Sequence, residues 1–209
     1  MRRRSVFFTI GRLGKRIFTT HEISMISGKA PSATTQALNN LTREGAVVKI
    51  YRGVWASESN EALSPYDAIP HIFPGQRVYV SFISALHLHG IIEQIPQVTT
   101  LAATTHARKI GTKIGVFQTY HIAPSFFMGF GWYKGNGSFL IAEPEKALVD
   151  CLYLSAHKGK RFGHFPELHF PASFSLKRAM GWAKQIHSKP ARAHVLKILA
   201  SYKISMQSP

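Results

Sequence analysis

The stretch THEISMISGKAPSATTQALNNLTREGAVVKIYRGVWAS, residues 20–57, contains the signals that decide the fold of the N-terminal part of this chain. Its first segment predicts a short helix with a marked start and a marked end. Thr20 stands where a hydroxyl can cap a helix over Glu22–Ser27 by accepting a hydrogen bond from a free backbone N–H. Gly28 can end that helix, because glycine adopts a left-handed conformation without a Cβ penalty.

The next segment predicts a second helix after a tight turn. The turn is Lys29-Ala30-Pro31, and Ser32 stands at the expected N-cap. The helix is expected to run to about Glu44, and Gly45 to close it. Two helices joined by a short turn that contains glycine are typical of a helix-turn-helix.

Two β-prone runs follow the second helix, Val47–Ile50 and Val54–Ala56. The turn between them, Tyr51-Arg52-Gly53, favours a hairpin. A basic amphipathic segment, Arg4 to Lys15, precedes both helices. This order of segments predicts a winged helix-turn-helix over residues 1–57.

The helix that follows Ser32 is amphipathic when it is placed on a wheel at about 100° per residue. Its apolar face is formed by Thr34, Ala37, Leu38 and Leu41. Its opposite face holds amide, hydroxyl and guanidinium groups without a carboxylate, on Ser32, Gln36, Asn39 and Arg43, with Thr35 at the edge. Asn and Gln can pair with adenine and Arg with guanine in the major groove, so Gln36, Asn39 and Arg43 are the expected base-reading residues.

Phosphate contacts are expected from the start of this helix and from the hairpin. Ser32 lies at the helix N-terminus, where an anion is favoured. Lys49, Tyr51 and Arg52 lie at the hairpin, where they can contact phosphates or a minor groove. The alternative for all of these residues is an ordinary solvated surface.

The charge balance of the whole chain agrees with a polyanionic partner. The 209 residues include 26 Lys and Arg but only 10 Asp and Glu, a formal net charge of +16. Such a field attracts nucleic acid through counterion release. A basic surface that serves solubility, or one attracted to an anionic membrane, is the alternative. No segment has the roughly 20 apolar residues of a membrane span, and one cysteine, Cys151, allows no internal disulfide, so a cytoplasmic protein is expected.

The second part of the chain predicts a separate domain. Residues 58–64 are polar and suit a linker, after which residues 65–209 are expected to form a mixed α/β domain with basic helices at its C-terminal end. The expected strands are Val98–Ala103, Thr112–His121 and Ser138–Ala142, with a hairpin turn at Asn136-Gly137. The fold class of the whole chain is therefore expected to be α+β.

Carboxylates in one segment raise the alternative of a nucleic-acid-processing enzyme, since Glu143, Glu145 and Asp150 could hold Mg²⁺. Acids in the first turn of a helix also complement its dipole, however, and Asp150 can pair with Lys146 one turn away. The 11 histidines show no spacing typical of a metal site, and no phosphate-cradling glycine loop is present. No catalytic residue, metal or cofactor is therefore assigned.

Three motifs in order resemble those of a known family. The first combines Phe18-Thr19-Thr20-His21-Glu22, Ala37-Leu38-Asn39-Asn40-Leu41, Glu44-Gly45 and Tyr51-Arg52-Gly53-Val54-Trp55. The second is Ser81-Phe82-Ile83-Ser84-Ala85-Leu86-His87 with Gly90, and the third is Ile141-Ala142-Glu143-Pro144-Glu145-Lys146-Ala147-Leu148-Val149-Asp150. This trio resembles the AbiE-type abortive-infection antitoxins, the antitoxin halves of type IV toxin–antitoxin systems.

The resemblance implies a transcriptional autorepressor with a second activity. Its winged helix would bind inverted repeats in double-stranded DNA upstream of the operon. Its second domain would counteract a nucleotidyltransferase-like toxin without a stable toxin–antitoxin complex. A winged-helix transcription factor with a dimerisation or ligand domain is the main alternative, and the sequence leaves the oligomeric state and the role of the basic C-terminal helices open.

Overall fold

The computed structural model describes residues 5–59, 62–135, 139–157, 162 and 165–205, and the backbone alone for residues 203–205. The Asn136-Gly137 turn expected from the sequence lies outside these residues. The chain has a mixed α+β fold with two compact units. The described residues of Met1–Gly75 and Gly111–Gly115 form the first, and those of Gln76–Ile110 and Val116–Pro209 form the second.

The first unit combines short helices with a three-stranded antiparallel sheet of order β1-β3-β2. In chain order its elements are α1 (Val6–Leu13), β1 (Ile17–Thr19), α2 (Thr20–Ser27), α3 (Pro31–Arg43), β2 (Val47–Tyr51), β3 (Val54–Ser57) and α4 (Ile69–Ile72). The two helices and the hairpin expected within residues 20–57 are confirmed. Strand β1, which pairs with β3 in the sheet, was not expected from the sequence.

A single apolar cluster holds the first unit together. Phe18, Ile23, Leu38 and Trp55 are fully buried in it, one each from β1, α2, α3 and β3. The Trp55 indole Nε1 donates a hydrogen bond of 2.8 Å to the Thr20 hydroxyl. Each element therefore contributes its apolar face to a common core, which fixes the direction of the opposite, polar face of α3.

Both expected N-caps in this unit are wrong by one or two residues. The N-cap of α2 is Thr19, whose hydroxyl accepts a hydrogen bond from the Glu22 backbone N–H in a capping box. Thr20 is the first helical residue, and its hydroxyl is used by Trp55 instead. The N-cap of α3 is Ala30, which has no side-chain cap, and Pro31 is the first helical residue. Proline suits that position because its missing N–H has no partner in a helix's first turn.

The Glu22 carboxylate joins the segment after α1 to the first turn of α2. It accepts hydrogen bonds of 2.8 Å from the Thr19 backbone N–H and 2.8 Å from the Lys15 ammonium. Partial burial acts to raise the pKa of Glu22, but these hydrogen bonds, that of the Thr19 hydroxyl and the Lys15 charge together hold the pKa below its usual value. The charged carboxylate is therefore the form that the folded chain favours.

Glu22→Ala is expected to lower the free energy of unfolding by about 1 kcal/mol at neutral pH, because the capping box is lost. A carboxyl whose pKa is lowered on folding stabilises the fold above its ordinary pKa and loses that effect as the pH falls through its folded pKa. In denaturant titrations, the difference in free energy of unfolding between wild type and Glu22→Ala should therefore narrow below pH 5. Glu22→Gln, which can keep the capping box, is the control. A difference that is constant with pH would contradict the role of the charge.

The second unit is built on a six-stranded sheet of order β6-β7-β5-β4-β9-β8, of which residues 111–115, where β6 ends and β7 begins, are grouped with the first unit. Its strands are β4 (Val78–Val80), β5 (Val98–Ala103), β6 (Lys109–Thr112), β7 (Gly115–His121), β8 (Phe130–Trp132) and β9 (Leu140–Ala142), and its helices are α5 (Phe82–Leu88), α6 (Pro144–Ser155), α7 (Leu176–Lys184) and α8 (Lys189–Ser205). The sheet is mixed: β4 pairs antiparallel with β5 and parallel with β9, while β5 and β7 are parallel and β8 and β9 antiparallel.

The expected strand Val98–Ala103 and the C-terminal helices are confirmed. The run expected as one strand, Thr112–His121, is wrong as a single element, because a turn at residues 113–114 divides β6 from β7. The short strands β4 and β8 were not expected. Among the described residues, no helix combines the length and apolar character needed to cross a membrane.

Candidate nucleic-acid interface

The exposed face of α3 is the surface that the sequence singled out. Thr34 and Leu38 are buried, and Ala37 and Leu41 are half-buried against the core of the first unit. On the opposite side the side chains of Ser32, Gln36, Asn39 and Arg43 are all exposed. The structure therefore places these four side chains together on one solvent-facing surface, as the helical wheel predicted.

Two residues at this surface make hydrogen bonds within the helix. The Arg43 guanidinium donates a hydrogen bond of 2.9 Å to the side-chain amide oxygen of Asn40, and Asn40 is itself exposed. The half-buried Thr35 donates its hydroxyl to the Pro31 carbonyl at 2.9 Å. Thr35 is left with acceptor capacity only, whereas Arg43 keeps further guanidinium donors for a ligand.

The β2–β3 hairpin forms a second exposed surface of the same unit. Arg52 and Gly53 occupy its turn, and Gly53 has a positive φ of 70°, which glycine tolerates best. The Thr20 backbone N–H donates a hydrogen bond of 2.9 Å to the Gly53 carbonyl, which connects the turn to the start of α2. Lys49 and Arg52 are exposed, whereas Tyr51 is half-buried beside a register shift in the strand.

Lys49 lies above the Trp55 ring. Its ammonium is 5.3 Å from the ring centroid, within the range of a cation–π interaction. Trp55 is itself fully buried, so the lysine covers the ring while its charge faces solvent. This contact orients a cation outward from the hairpin.

Lys113 is a further cation at the hairpin that the sequence analysis missed. Its backbone N–H donates a hydrogen bond of 3.2 Å to the carbonyl of Ile50, and its side chain is exposed. Residues 111–115 belong to the first unit although they follow β2 by some sixty positions. Because strand β2 is the edge of its sheet, it has a free carbonyl for this contact, but no local sequence pattern could identify the donor.

The acidic residues considered for catalysis are engaged in the second unit. Asp150 and Lys146 are fully buried and form an ion pair one helical turn apart, as expected. Asp150 also accepts hydrogen bonds from the hydroxyls of Tyr79 at 3.0 Å and Ser81 at 2.7 Å. Burial raises the pKa of Asp150, while the charge of Lys146 and these hydrogen bonds act against the rise.

Glu143 and Glu145 lie at the other end of the same helix. Arg178 of α7 pairs with Glu143 at 3.2 Å and approaches Glu145 at 3.9 Å. Glu145 is almost fully buried and accepts a hydrogen bond of 2.9 Å from the backbone N–H of Ser175. These carboxylates connect helices rather than converge on a common point. Among the residues with a described placement, His, Cys, Asp and Glu form no group of three that could hold a metal ion.

Comparison of the sequence with protein-family models and with curated proteins found no match.

Proposed function

We propose that this protein is a DNA-binding transcriptional regulator whose first unit docks on a duplex as a winged helix-turn-helix. The observation on which this depends is the exposed face of α3, where Gln36, Asn39 and Arg43 present base-reading groups without a carboxylate. In the proposed complex α3 enters the major groove and the β2–β3 hairpin contacts the adjacent backbone.

Three further features support the proposal. The elements of the first unit follow the order helix, strand, helix, helix and hairpin. Lys49, Arg52 and Lys113 present cations at the hairpin, where phosphate contacts are needed. The net charge of +16 supplies the long-range attraction.

The second half of the proposal is that the protein is the autorepressing antitoxin of a type IV toxin–antitoxin system. The support is the resemblance of three motifs, two of which meet in the second unit. Ser81 of the second motif donates its hydroxyl to Asp150 of the third at 2.7 Å. Co-expression with a neighbouring nucleotidyltransferase-like gene should restore the growth that the toxin prevents, and growth arrest despite co-expression would reject this half.

Arg43→Ala is expected to lower affinity for the operator by about 1–3 kcal/mol and to relax the preference at one base-pair position. The reason is that a bidentate contact from the guanidinium to guanine would be lost. Binding to a panel of operators with single base changes measures both effects. An equal loss on every duplex would assign Arg43 to phosphate contact and reject its reading role.

Lys49→Ala is the matched variant for a phosphate contact. It is expected to weaken binding to all duplexes alike and to reduce the slope of log affinity against log salt by about 1. Lys49 and Arg43 are both exposed cations of the first unit, so general charge loss is matched between the variants. An unchanged salt slope would remove Lys49 from the interface.

A further inference from the structure

A groove in the second unit lies beside the edge strand β8, and none of the residues assigned to duplex binding lines it. Its volume is about 480 Å³. It is lined by residues of β8, β9, the end of α5, the start of α6 and α7, which include His89, Trp132, Lys134, Glu143 and Arg178. All of these residues belong to one compact unit.

Trp132 is the most unusual feature of this groove, since 69% of the residue is exposed. Among the large hydrophobic residues described in the second unit, only Ile95 is exposed to the same degree. The other two tryptophans, Trp55 and Trp182, are buried and half-buried. An indole ring left in water is a flat surface on which another ring can stack.

The strand that holds Trp132 is fixed to the core. Phe130 of the same strand stacks on the buried Tyr79 ring at a centroid distance of 4.5 Å. Trp132 pairs with Leu140 across the sheet, and the next residue, Tyr133, donates its backbone N–H to the Phe139 carbonyl at 3.0 Å. The backbone that carries the indole is therefore held in place before any ligand arrives, which reduces the entropy cost of binding.

The charge of the groove favours an anionic ligand. Lys134 and Arg178 are exposed cations that line it. Glu143 is the acid among its lining residues, and Arg178 pairs with it at 3.2 Å. The stretch from Gln94 to Ala142, which includes β8, contains no acidic residue. Aromatic stacking surfaces beside cations are the combination that binds unpaired bases and their phosphates.

We propose that this groove binds single-stranded nucleic acid, with a base stacked on Trp132 and phosphates near Lys134 and Arg178. The site goes beyond the proposed duplex interface and does not depend on it. Every nucleic-acid base has a flat face that can stack on an aromatic ring, so the groove is expected to bind strands of many different base sequences. A flexible protein segment would lack the regular anionic backbone that the two cations suit.

The test uses the full chain and fluorescein-labelled 12-nucleotide RNA and DNA strands of mixed sequence that form no duplex. Trp132→Ala is expected to weaken binding about tenfold, since base stacking on an aromatic side chain has effects of this order. Ile95→Ala, which removes an equally exposed side chain outside the groove, should leave the affinity unchanged. A preference for RNA over DNA would point to recognition of the 2′-hydroxyl.

Tryptophan fluorescence gives a second readout. Strand binding should quench the emission of the wild-type protein, and the quenching should disappear in Trp132→Phe. Absence of strand binding, an affinity of Trp132→Ala within twofold of wild type, or equal losses for strands and operator duplex would each overturn the proposal. The duplex interface is tested separately, because Arg43→Ala should reduce operator binding and leave Trp132 quenching intact.

Discussion

Lys146→Met is expected to lower the free energy of unfolding of the second unit by about 3–5 kcal/mol, the usual cost of removing one partner from a buried ion pair. The Lys146 ammonium is fully buried between the Asp150 carboxylate and the Phe126 ring, whose centroid is 4.0 Å away. The ammonium also donates a hydrogen bond of 3.1 Å to the Tyr79 hydroxyl. Its removal leaves Asp150 charged, buried and supported only by two neutral hydroxyls.

The double variant Lys146→Met/Asp150→Asn should recover most of this loss, because no buried charge remains and an amide oxygen can still accept from Tyr79 and Ser81. Arg178→Gln removes the cation that pairs with the exposed Glu143 and lies 3.9 Å from the buried Glu145. It should cost less than Lys146→Met, because Arg178 is exposed and Glu145 keeps the hydrogen bond from the Ser175 N–H. Urea titrations of the four proteins compare their free energies of unfolding. A Lys146→Met loss no larger than that of Arg178→Gln would contradict the importance of the buried pair.

The pH dependence of the single variant gives an independent check. Burial already raises the pKa of Asp150, and loss of the lysine charge should raise it further. An acid whose pKa is raised on folding stabilises the fold at low pH and loses that effect as the pH rises through its folded pKa. Lys146→Met should therefore regain stability as the solution is made acidic, whereas the double variant should not.

Trp55→Ala is expected to lower the free energy of unfolding of the first unit by about 3–5 kcal/mol, the range for truncating a large buried aromatic residue. Trp55 is fully buried with Phe18, Ile23 and Leu38, and its indole N–H is bonded to Thr20. The substitution removes the ring on which three elements pack and leaves the Thr20 hydroxyl without this donor.

Thr20→Val isolates the hydrogen bond from the packing and should cost about 1 kcal/mol. Denaturant titrations of both variants and the wild type, followed by circular dichroism, measure the two contributions. Operator binding should fall in Trp55→Ala to the extent that the first unit unfolds, because α3 is held by this core. Equal costs for the two variants would contradict the packing role.

The sequence predicted the helices and hairpin of the first unit because their signals are local. Gly28 and the apolar spacing of Leu38 and Leu41 act within a few residues, and the exposed face of α3 followed from the same spacing. The N-cap of α2 was misplaced because two adjacent threonines, Thr19 and Thr20, can each serve, although the spacing from Thr19 to Glu22 is that of a capping box. The N-cap of α3 was misplaced because Ala30 has no side chain that marks it as a cap.

Most of the features that the sequence did not reveal depend on pairing between distant positions. Strands β1, β4 and β8 have three residues each, too few for a periodic pattern, and β1 and β4 are defined by partners far along the chain. Lys113 reaches the hairpin through a backbone hydrogen bond to Ile50. The groove beside Trp132 is likewise assembled from four separate segments.

The most direct test of the central claim is the affinity of the full protein for the DNA upstream of its own gene, compared with a scrambled duplex across a salt series. A sequence-specific regulator should prefer the upstream DNA by about a thousandfold or more, and the preference should persist as salt rises. Weak, equal and steeply salt-dependent binding to both duplexes would contradict the account and attribute the attraction to the net charge alone.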